Sequence, residues 1–419
     1  LFRSPGGNSS VAWTADSDAI FNSTSGTSLV TVSGVVSVNS ITFNGAGYTI
    51  QSGTITLTGA GGSITANADA TISSQIAGTV GLTKKGTGNL ILSGSNTYTG
   101  LTDIQTGTLT LGANSVFADA STLKISGGIL SLLTFSDTVA GVQLTSGSIT
   151  GSGTLTSTTT FDLQSGSVSA KLGGSVGLNK TTGGTVTLSG ANTYTGNTTV
   201  SAGTLALSGS GSIAAAGSTI SVASGATLDV SAVTGGSWTV QGVNTTTRQI
   251  LTGSGGVTGA TVIGSSGTHN AGSGGVGTQA FSSSLTYSSG SIFEWDLDVS
   301  GAAETHDKIT AASLAGSGAQ FKILLGSGDS FADTFWNTNH SWTATDLFGA
   351  SNATVNLSNI FSSSLTLANF TANPLEGSFS FTNNGGTGNQ LTWTAVPEPT
   401  SALAGILLGA GLLRRKRSA

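Results

Sequence analysis

The stretch from Gly81 to Gly112 returns from Gly177 to Ser208 at a constant offset of 96 residues, with 17 of 32 positions identical. A unit this short cannot bury a core alone, so a repeated one implies that neighbours stack along one axis. The shared centre reads Asn96-Thr97-Tyr98-Thr99-Gly100 and Asn192-Thr193-Tyr194-Thr195-Gly196. It is preceded by Leu92-Ser93-Gly94 and Leu188-Ser189-Gly190, and followed by Gly107-Thr108-Leu109 and Gly203-Thr204-Leu205. In the second copy Val186 and Leu188 alternate with Thr185, Thr187 and Ser189, and Leu205 and Leu207 alternate with Thr204, Ala206 and Ser208. Period two means strands with one buried face. Each strand is bounded by Gly, Asn or Ser, which supply tight turns. The same texture recurs at Leu29 to Ser33, Val36 to Phe43, Thr54 to Leu57, Thr122 to Ile125 and Thr219 to Val222. The expected fold is therefore all-β, a right-handed parallel β-helix (β-solenoid) with roughly 20 residues per coil.

Composition agrees and excludes several functions. The 419 residues include 64 Gly, only 4 Pro and 7% charged side chains, so helical propensity is low and a collagen-like or proline-rich chain is excluded. A mean hydropathy of +0.21 argues against simple disorder. Absence of cysteine removes disulfides, thiolate nucleophiles and Cys-ligated zinc together. The net charge is −5, and four of the thirteen basic residues are Arg414, Arg415, Lys416 and Arg417, which leaves the body near −9. Such a body has no basic stripe to neutralise phosphates, and nucleic acid is not an expected partner. The chain opens at Leu1 without a basic and apolar leader, so any secretory signal peptide is expected upstream.

The stretch from Gly253 to Gly277 is nearly pure Gly, Ser, Thr and Val and reads as a loose loop or thin coil. Beyond it, ten of sixteen Phe and four of six Trp lie between Phe281 and Trp393. The expected organisation is a β-helix over 1–280, an aromatic-rich β segment over 281–395 that caps or continues it, and a C-terminal signal over 396–419.

The repeat resembles the autotransporter-associated β-strand repeat, also called the passenger-associated transport repeat. That family is marked by a Gly-Leu-x-Lys start, a Ser-Gly-x-Asn-Thr-Tyr-Thr-Gly centre and a Gly-Thr-Leu end. Gly81-Leu82-Thr83-Lys84 and Gly177-Leu178-Asn179-Lys180 match the start, although Thr181-Thr182-Gly183-Gly184 departs from the Gly-x-Gly usual next. The resemblance covers about 64 residues and implies a structural role in an exported β-helical passenger. A classical autotransporter is expected to end in a long translocator barrel, and no such segment is read within these 419 residues. Instead Val396-Pro397-Glu398-Pro399 leads into an apolar run from Thr400 to Leu413 and then Arg414-Arg415-Lys416-Arg417, an order that resembles the PEP-CTERM sorting signal. Two prolines keep the motif extended. As a short hydrophobic helix the 14 apolar residues would span about 21 Å, less than a bilayer core, and the basic cluster would hold the C-terminus in the cytoplasm. The resemblance implies passage through the export machinery, insertion through this segment, cleavage by an exosortase-type membrane transpeptidase and transfer to a polysaccharide or envelope acceptor. A plain C-terminal membrane anchor is the alternative. Either reading places the body outside the cytoplasm, at the cell envelope, cell surface or extracellular matrix.

No catalytic residues and no cofactor are expected. Glu294, Asp296 and Asp298 alternate with Phe293, Trp295, Leu297 and Val299, which reads as a solvated face over a core; with Glu304, Asp307, His306 and Lys308 they form the densest acidic cluster. Glu294, Asp296 and Asp298 are at most weak calcium candidates, since hard oxygen ligands on adjacent coils suit that ion. Gly173 to Gly177 matches a nucleophile-elbow pattern and Gly272 to Gly277 a dinucleotide fingerprint, but neither precedes a helix, so both follow from composition. His269, His306 and His340 are too scattered for zinc. Asn96 and Asn192 are expected to bond backbone groups of their own turns. Tyr98, Tyr194, Trp336 and Trp342 would form a sugar-stacking surface if exposed, against burial in the core. Two functions remain: a non-enzymatic adhesin-like surface protein, and a carbohydrate-active β-helix enzyme, a polysaccharide lyase or hydrolase.

Overall fold

The computed structural model describes residues 2–3, 10–11 and 14–396, apart from short stretches at 23–26, 60–61, 214–216, 301–303, 327–328, 330–333, 353–354, 363–364, 368–376 and 384–388. Pro397, Glu398, Pro399, the apolar run 400–413 and the basic residues 414–417 lie outside the described residues. Contacts divide the chain into two units, residues 1–238 with 255–260, and residues 239–254 with 261–419.

The first unit is a parallel β-solenoid, and its register follows from the period-two pattern. Strand Leu82–Lys85 lies between Ser63–Ala66 and Thr102–Ile104, and every partner runs in the same direction. Side chains of one phase therefore stack in an internal column from Ile41 through Ile64, Lys84, Ile104, Ile125, Leu144 and Leu163 to Lys180, Val200 and Val222. Successive members are 17 to 23 residues apart, and the 96-residue offset between Lys84 and Lys180 is five coils. A second face stacks Leu109, Leu130, Ile149, Val168, Leu188 and Leu207. All of these side chains are buried. Each fully buried Leu or Ile contributes about 1.5–3 kcal/mol, so stability accumulates coil by coil.

The corners explain the glycine of the repeat's Gly-Thr-Leu end. Gly107 and Gly203 have φ of +66° and +64°, the left-handed region. A Cβ on Gly107 would stand 2.4 Å from the carbonyl oxygen of Gly86, so conformation and close approach both exclude a side chain there.

In the second unit, Gln249–Thr252, Gly267–Asn270, Ile292–Asp298, Gln320–Leu325 and Thr366–Leu367 stack in parallel. Beside them Ala260–Ile263, Thr278–Tyr287 and Lys308–Gly316 form another parallel stack. The internal column here is Leu251, His269, Phe293 and Phe321. Aromatic rings replace the aliphatic chains of the first unit. Low complexity between Gly253 and Gly277 corresponds to ordered short strands, the thin-coil alternative, and the expected boundary at 280 falls inside the strand Thr278–Tyr287. After Leu325 the regular stacking gives way to helical turns and to an antiparallel sheet of His340–Thr343, Asn389–Ala395 and Gly377–Asn383. Its Trp393 packs edge-on against Trp336 at 4.9 Å, and Phe381 lies over Phe361 and Phe321, which covers the aromatic column.

Candidate functional site

The Leu, Lys, Asn and Tyr side chains that mark the repeat turn inward, while the threonines of its centre, Thr97, Thr99, Thr193 and Thr195, are exposed. Lys84 and Lys180 share the phase of Leu82 and Leu178 and are fully buried among Ile, Leu and Val. The Lys84 stem fills the column, and its Nζ reaches past the strand to donate to the carbonyl oxygens of Lys85 and Gly86 at 2.9 Å and Thr106 at 3.1 Å. Lys180 does the same with Thr182 and with Ala202 at 3.1 Å. Corner carbonyls have no ladder partner, and an ammonium with three donors satisfies several at once. Burial pulls the Lys84 ammonium down to about 8, partly opposed by the charge of Asp69.

Asn96 and Asn192 sit at corners, as expected, but they bond neighbouring coils rather than their own turn. Asn96 Oδ1 accepts from the Ile76 amide one coil before, and its Nδ2 donates to the Val116 carbonyl one coil after, both at 2.8 Å. Asn192 repeats this with Leu172 at 2.9 Å and Ser212 at 2.8 Å. A side-chain amide carries a donor and an acceptor about one strand spacing apart from its neighbours, so it continues the ladder where the backbone bends away.

Of the two alternatives for the four aromatics, burial in the core holds and no sugar-stacking surface is formed. Tyr98 and Tyr194 are fully buried, each with its hydroxyl 2.7 Å from Thr102 or Thr198 Oγ1, and burial pushes both phenols above their ordinary range. Trp336 and Trp342 are 1% and 2% exposed. The indole of Trp342 donates to Glu304 Oε1 at 2.9 Å, and Trp336 lies under Trp393. Apolar ring area is worth more inside the core than at the surface, and each polar edge finds a partner there.

The alternation of Ile292–Asp298 is as read: Phe293, Trp295 and Leu297 are fully buried and the carboxylates face outward. Those carboxylates do not converge. Glu294 pairs with Lys322 at 2.7 Å, Asp296 accepts from Asn270 Nδ2 at 3.0 Å, and Asp298 caps Ser300. Among the described residues no three His, Asp or Glu side chains gather as a cation cage. Asp307 is buried instead and accepts from the amides of Gly277 at 2.7 Å and Asp296 at 3.1 Å; burial, with Asp296 close by, pushes its carboxyl up to about 7 against the pull of these amides.

His269 was not legible as a core residue in its Gly-rich context. It is buried with Nδ1 2.6 Å from Tyr287 Oη and Nε2 2.7 Å from Gln279 Oε1, and desolvation lowers it to about 4. It therefore packs as a neutral ring between Leu251 and Phe293. His306 and His340 lie elsewhere, bonded to the carbonyls of Asp307 and Phe335. Gly173 to Gly177 and Gly272 to Gly277 lie at strand ends and lead into strands, not helices.

With the signature residues inside, the outer surface is left to the opposite phase. One outward column runs Thr83, Asp103, Lys124, Gln143, Asp162, Asn179, Thr199 and Ser221. Its carboxylates are held by neutral donors: Asp103 by Ser126 Oγ and Gln105 Nε2, Asp162 by Gln143, Gln164 and Thr181. No helix among the described residues is long and apolar enough to cross a membrane.

A family model described as the passenger-associated-transport-repeat matches residues 82–111 and 178–207, the two stretches whose Lys, Asn and Tyr side chains and glycine backbones build these corners. An adhesin, the BmaC autotransporter of Brucella suis biovar 1 (strain 1330), is 39% identical over 104 residues. That alignment takes in 25% of this chain and 3% of the adhesin, so the chain spans a small part of this relative's length. Two stretches of the chain thus match the passenger-associated-transport-repeat, five coils apart in a parallel β-solenoid.

Proposed function

We propose that this chain is an exported, surface-displayed, adhesin-like structural protein rather than an enzyme. One observation carries the reading: the Leu, Lys, Asn and Tyr side chains that mark the repeat are spent inside the coil on corners and core, while the outward phase is a column of Thr, Asn, Gln, Lys124 and carboxylates held by neutral donors. Such a surface is suited to presentation and contact. Likeness of a quarter of the chain to an autotransporter adhesin supports the same class. The coil is right-handed in this proposal, and its length displays the outer faces away from the envelope.

The route to the surface is the second half of the proposal. The order Val396-Pro397-Glu398-Pro399, apolar run, Arg414 to Arg417 is that of a PEP-CTERM signal, with a short hydrophobic helix that pauses in the inner membrane and an extended motif offered to an exosortase-type transpeptidase. The test is intact mass and cell fractionation in an exosortase-bearing host, for wild type and for Pro397→Ala, Glu398→Ala and Pro399→Ala combined. Loss of the tail and surface exposure in the wild type alone is the expected result. An intact tail in both proteins, with the wild type retained at the inner membrane, overturns the sorting route.

A further inference from the structure

The two repeat copies serve as internal controls for each other. At Asn197 the second copy closes its corner with the side chain: Asn197 Oδ1 accepts from the Thr219 amide at 2.9 Å. The first copy has Leu101 at that place, 44% exposed. One coil on, the outward neighbour of Asp103 is Lys124, whereas the outward neighbour of its counterpart Thr199 is Ser221. The fold accepts Asn and Ser at these outward positions and does not require Leu and Lys.

These two residues border one groove. Its open space is about 380 Å³, at the small end of ligand-binding clefts. The notch exists because Gly141 stands beside Thr122 in the ladder with no side chain; a Cβ there would come within 2.9 Å of Thr159 Oγ1. Around the notch stand the exposed methyls of Leu101, the ammonium of Lys124, and the hydroxyls of Thr122 and Thr160. Among the described residues Lys124 makes no ion pair, since the carboxylates on its column, Asp103 and Asp162, are occupied by Ser, Thr and Gln donors. The side chains of Lys124, Thr122 and Thr160 make no hydrogen bond to the protein there, whereas Lys84 gives three hydrogen bonds inside and Lys180 two.

We propose that this groove binds one sugar of an acidic polysaccharide, a uronate. The carboxylate pairs with Lys124, the apolar face of the pyranose lies on Leu101, and ring hydroxyls bond Thr122 and Thr160. An unneutralised cation beside an exposed aliphatic patch and free hydroxyls complements a carboxylated sugar, and a neutral glucan would leave the ammonium unpaired. The inference rests on the adhesin reading and names its ligand class.

The test is calorimetric titration of the full chain with tetragalacturonate and with its methyl ester. Wild type is expected to bind the acid about tenfold or more tighter than the ester. Lys124→Ser and Leu101→Asn import what the second copy already uses, so both are expected to fold, which circular dichroism checks. Lys124→Ser should remove the preference for the acid, and Leu101→Asn should weaken both ligands about fivefold or more. No binding to wild type at millimolar acid, or the same affinity in wild type and Lys124→Ser, overturns the proposal. A chain that reaches the cell surface without binding uronate fails only this inference, and one that binds uronate but never leaves the inner membrane fails only the surface reading.

Discussion

Replacing Lys84 separates the two tasks of a buried lysine. In Lys84→Met the chain length is retained, so the column between Ile64 and Ile104 stays filled. The ammonium is lost, and the carbonyls of Lys85, Gly86 and Thr106 lose their donor. Hydrogen bonds from a charged group stabilise by about 1.5 kcal/mol each at the low end, about 4–5 kcal/mol for three. Opposing this is the cost of burying the charge. The fall of the ammonium from 10.5 to about 8 corresponds to about 3 kcal/mol before screening, and because the head group lies at the corner, solvent reduces that to about 1–2 kcal/mol. The net expectation for Lys84→Met is a loss of about 2–4 kcal/mol. Lys84→Ala also removes three methylenes and leaves a cavity, which adds about 2–3 kcal/mol. Solenoids unfold coil by coil, so the assay is amide exchange read locally, at Gln105, whose amide donates to the Lys84 carbonyl at 3.1 Å, and at Gly88, whose amide donates to Ala66 at 2.8 Å. Exchange there should quicken about 30- to 900-fold in Lys84→Met, and further in Lys84→Ala. Exchange in Lys84→Met within about threefold of wild type, or no difference between the variants, refutes the account. The sign with pH is fixed as well. The folded ammonium lies below its unfolded value, so this residue's contribution to stability rises with pH between about 8 and 10.5 and is flat below that window; Lys84→Met should lack the rise.

Asn96→Ala orphans the buried amide of Ile76, while the Val116 carbonyl keeps the backbone amide of position 96 at 3.1 Å, and should destabilise the adjacent coils by about 1–3 kcal/mol; Asn192→Ala removes the side-chain partners of the Leu172 amide and the Ser212 carbonyl and should cost about 2–4 kcal/mol, both measured by exchange at the Ile76 and Leu172 amides. Asp307 has its folded carboxyl raised from 3.8 to about 7, so its contribution to stability declines as pH rises through that window; Asp307→Asn should flatten the slope, followed by the emission of Trp295, whose Nε1 donates to the Asp307 carbonyl at 3.0 Å. Trp336 and Trp342 are inside the core, so tetragalacturonate at saturation should leave their emission unchanged, and a shift of that emission would place the sugar elsewhere.

Much of this architecture was legible because β-structure has a short period. Val186, Leu188, Leu205 and Leu207 were assigned inward from alternation alone, and all are buried. The same phase would have placed Lys84 with Leu82 and Lys180 with Leu178, but a charged residue is ordinarily assigned to solvent, so the signal is outweighed unless the corner carbonyls that reward it are known. Asn96 presents a different difficulty. Its partners at Ile76 and Val116 are 20 residues away on either side, and only the coil length turns that separation into contact. His269 stands in a stretch of Gly, Ser and Thr with no apolar period, and its place in the aromatic column depends on Phe293 and Tyr287 from the following strands.

The two copies also show what the fold leaves free. Where they differ at inward positions, one aliphatic chain replaces another: Leu90 for Val186 and Ile104 for Val200, all fully buried. At outward or corner positions the chemistry itself changes, Asp103 against Thr199, Ile91 against Thr187, Leu101 against Asn197. A solenoid imposes its constraint through the column and the corner, since a misfit there breaks contact with the coils on both sides. An outward side chain touches little that the fold depends on, and its identity can follow use. Asn197 is the informative member of the pair, because it is outward and yet serves the fold by bonding Thr219. Exchanging that service for the exposed methyls of Leu101 forfeits a corner bond and sets an apolar group in water. Neither change favours folding, and the proposal that the groove of Leu101 and Lys124 takes a uronate supplies a contact outside the chain that would offset both.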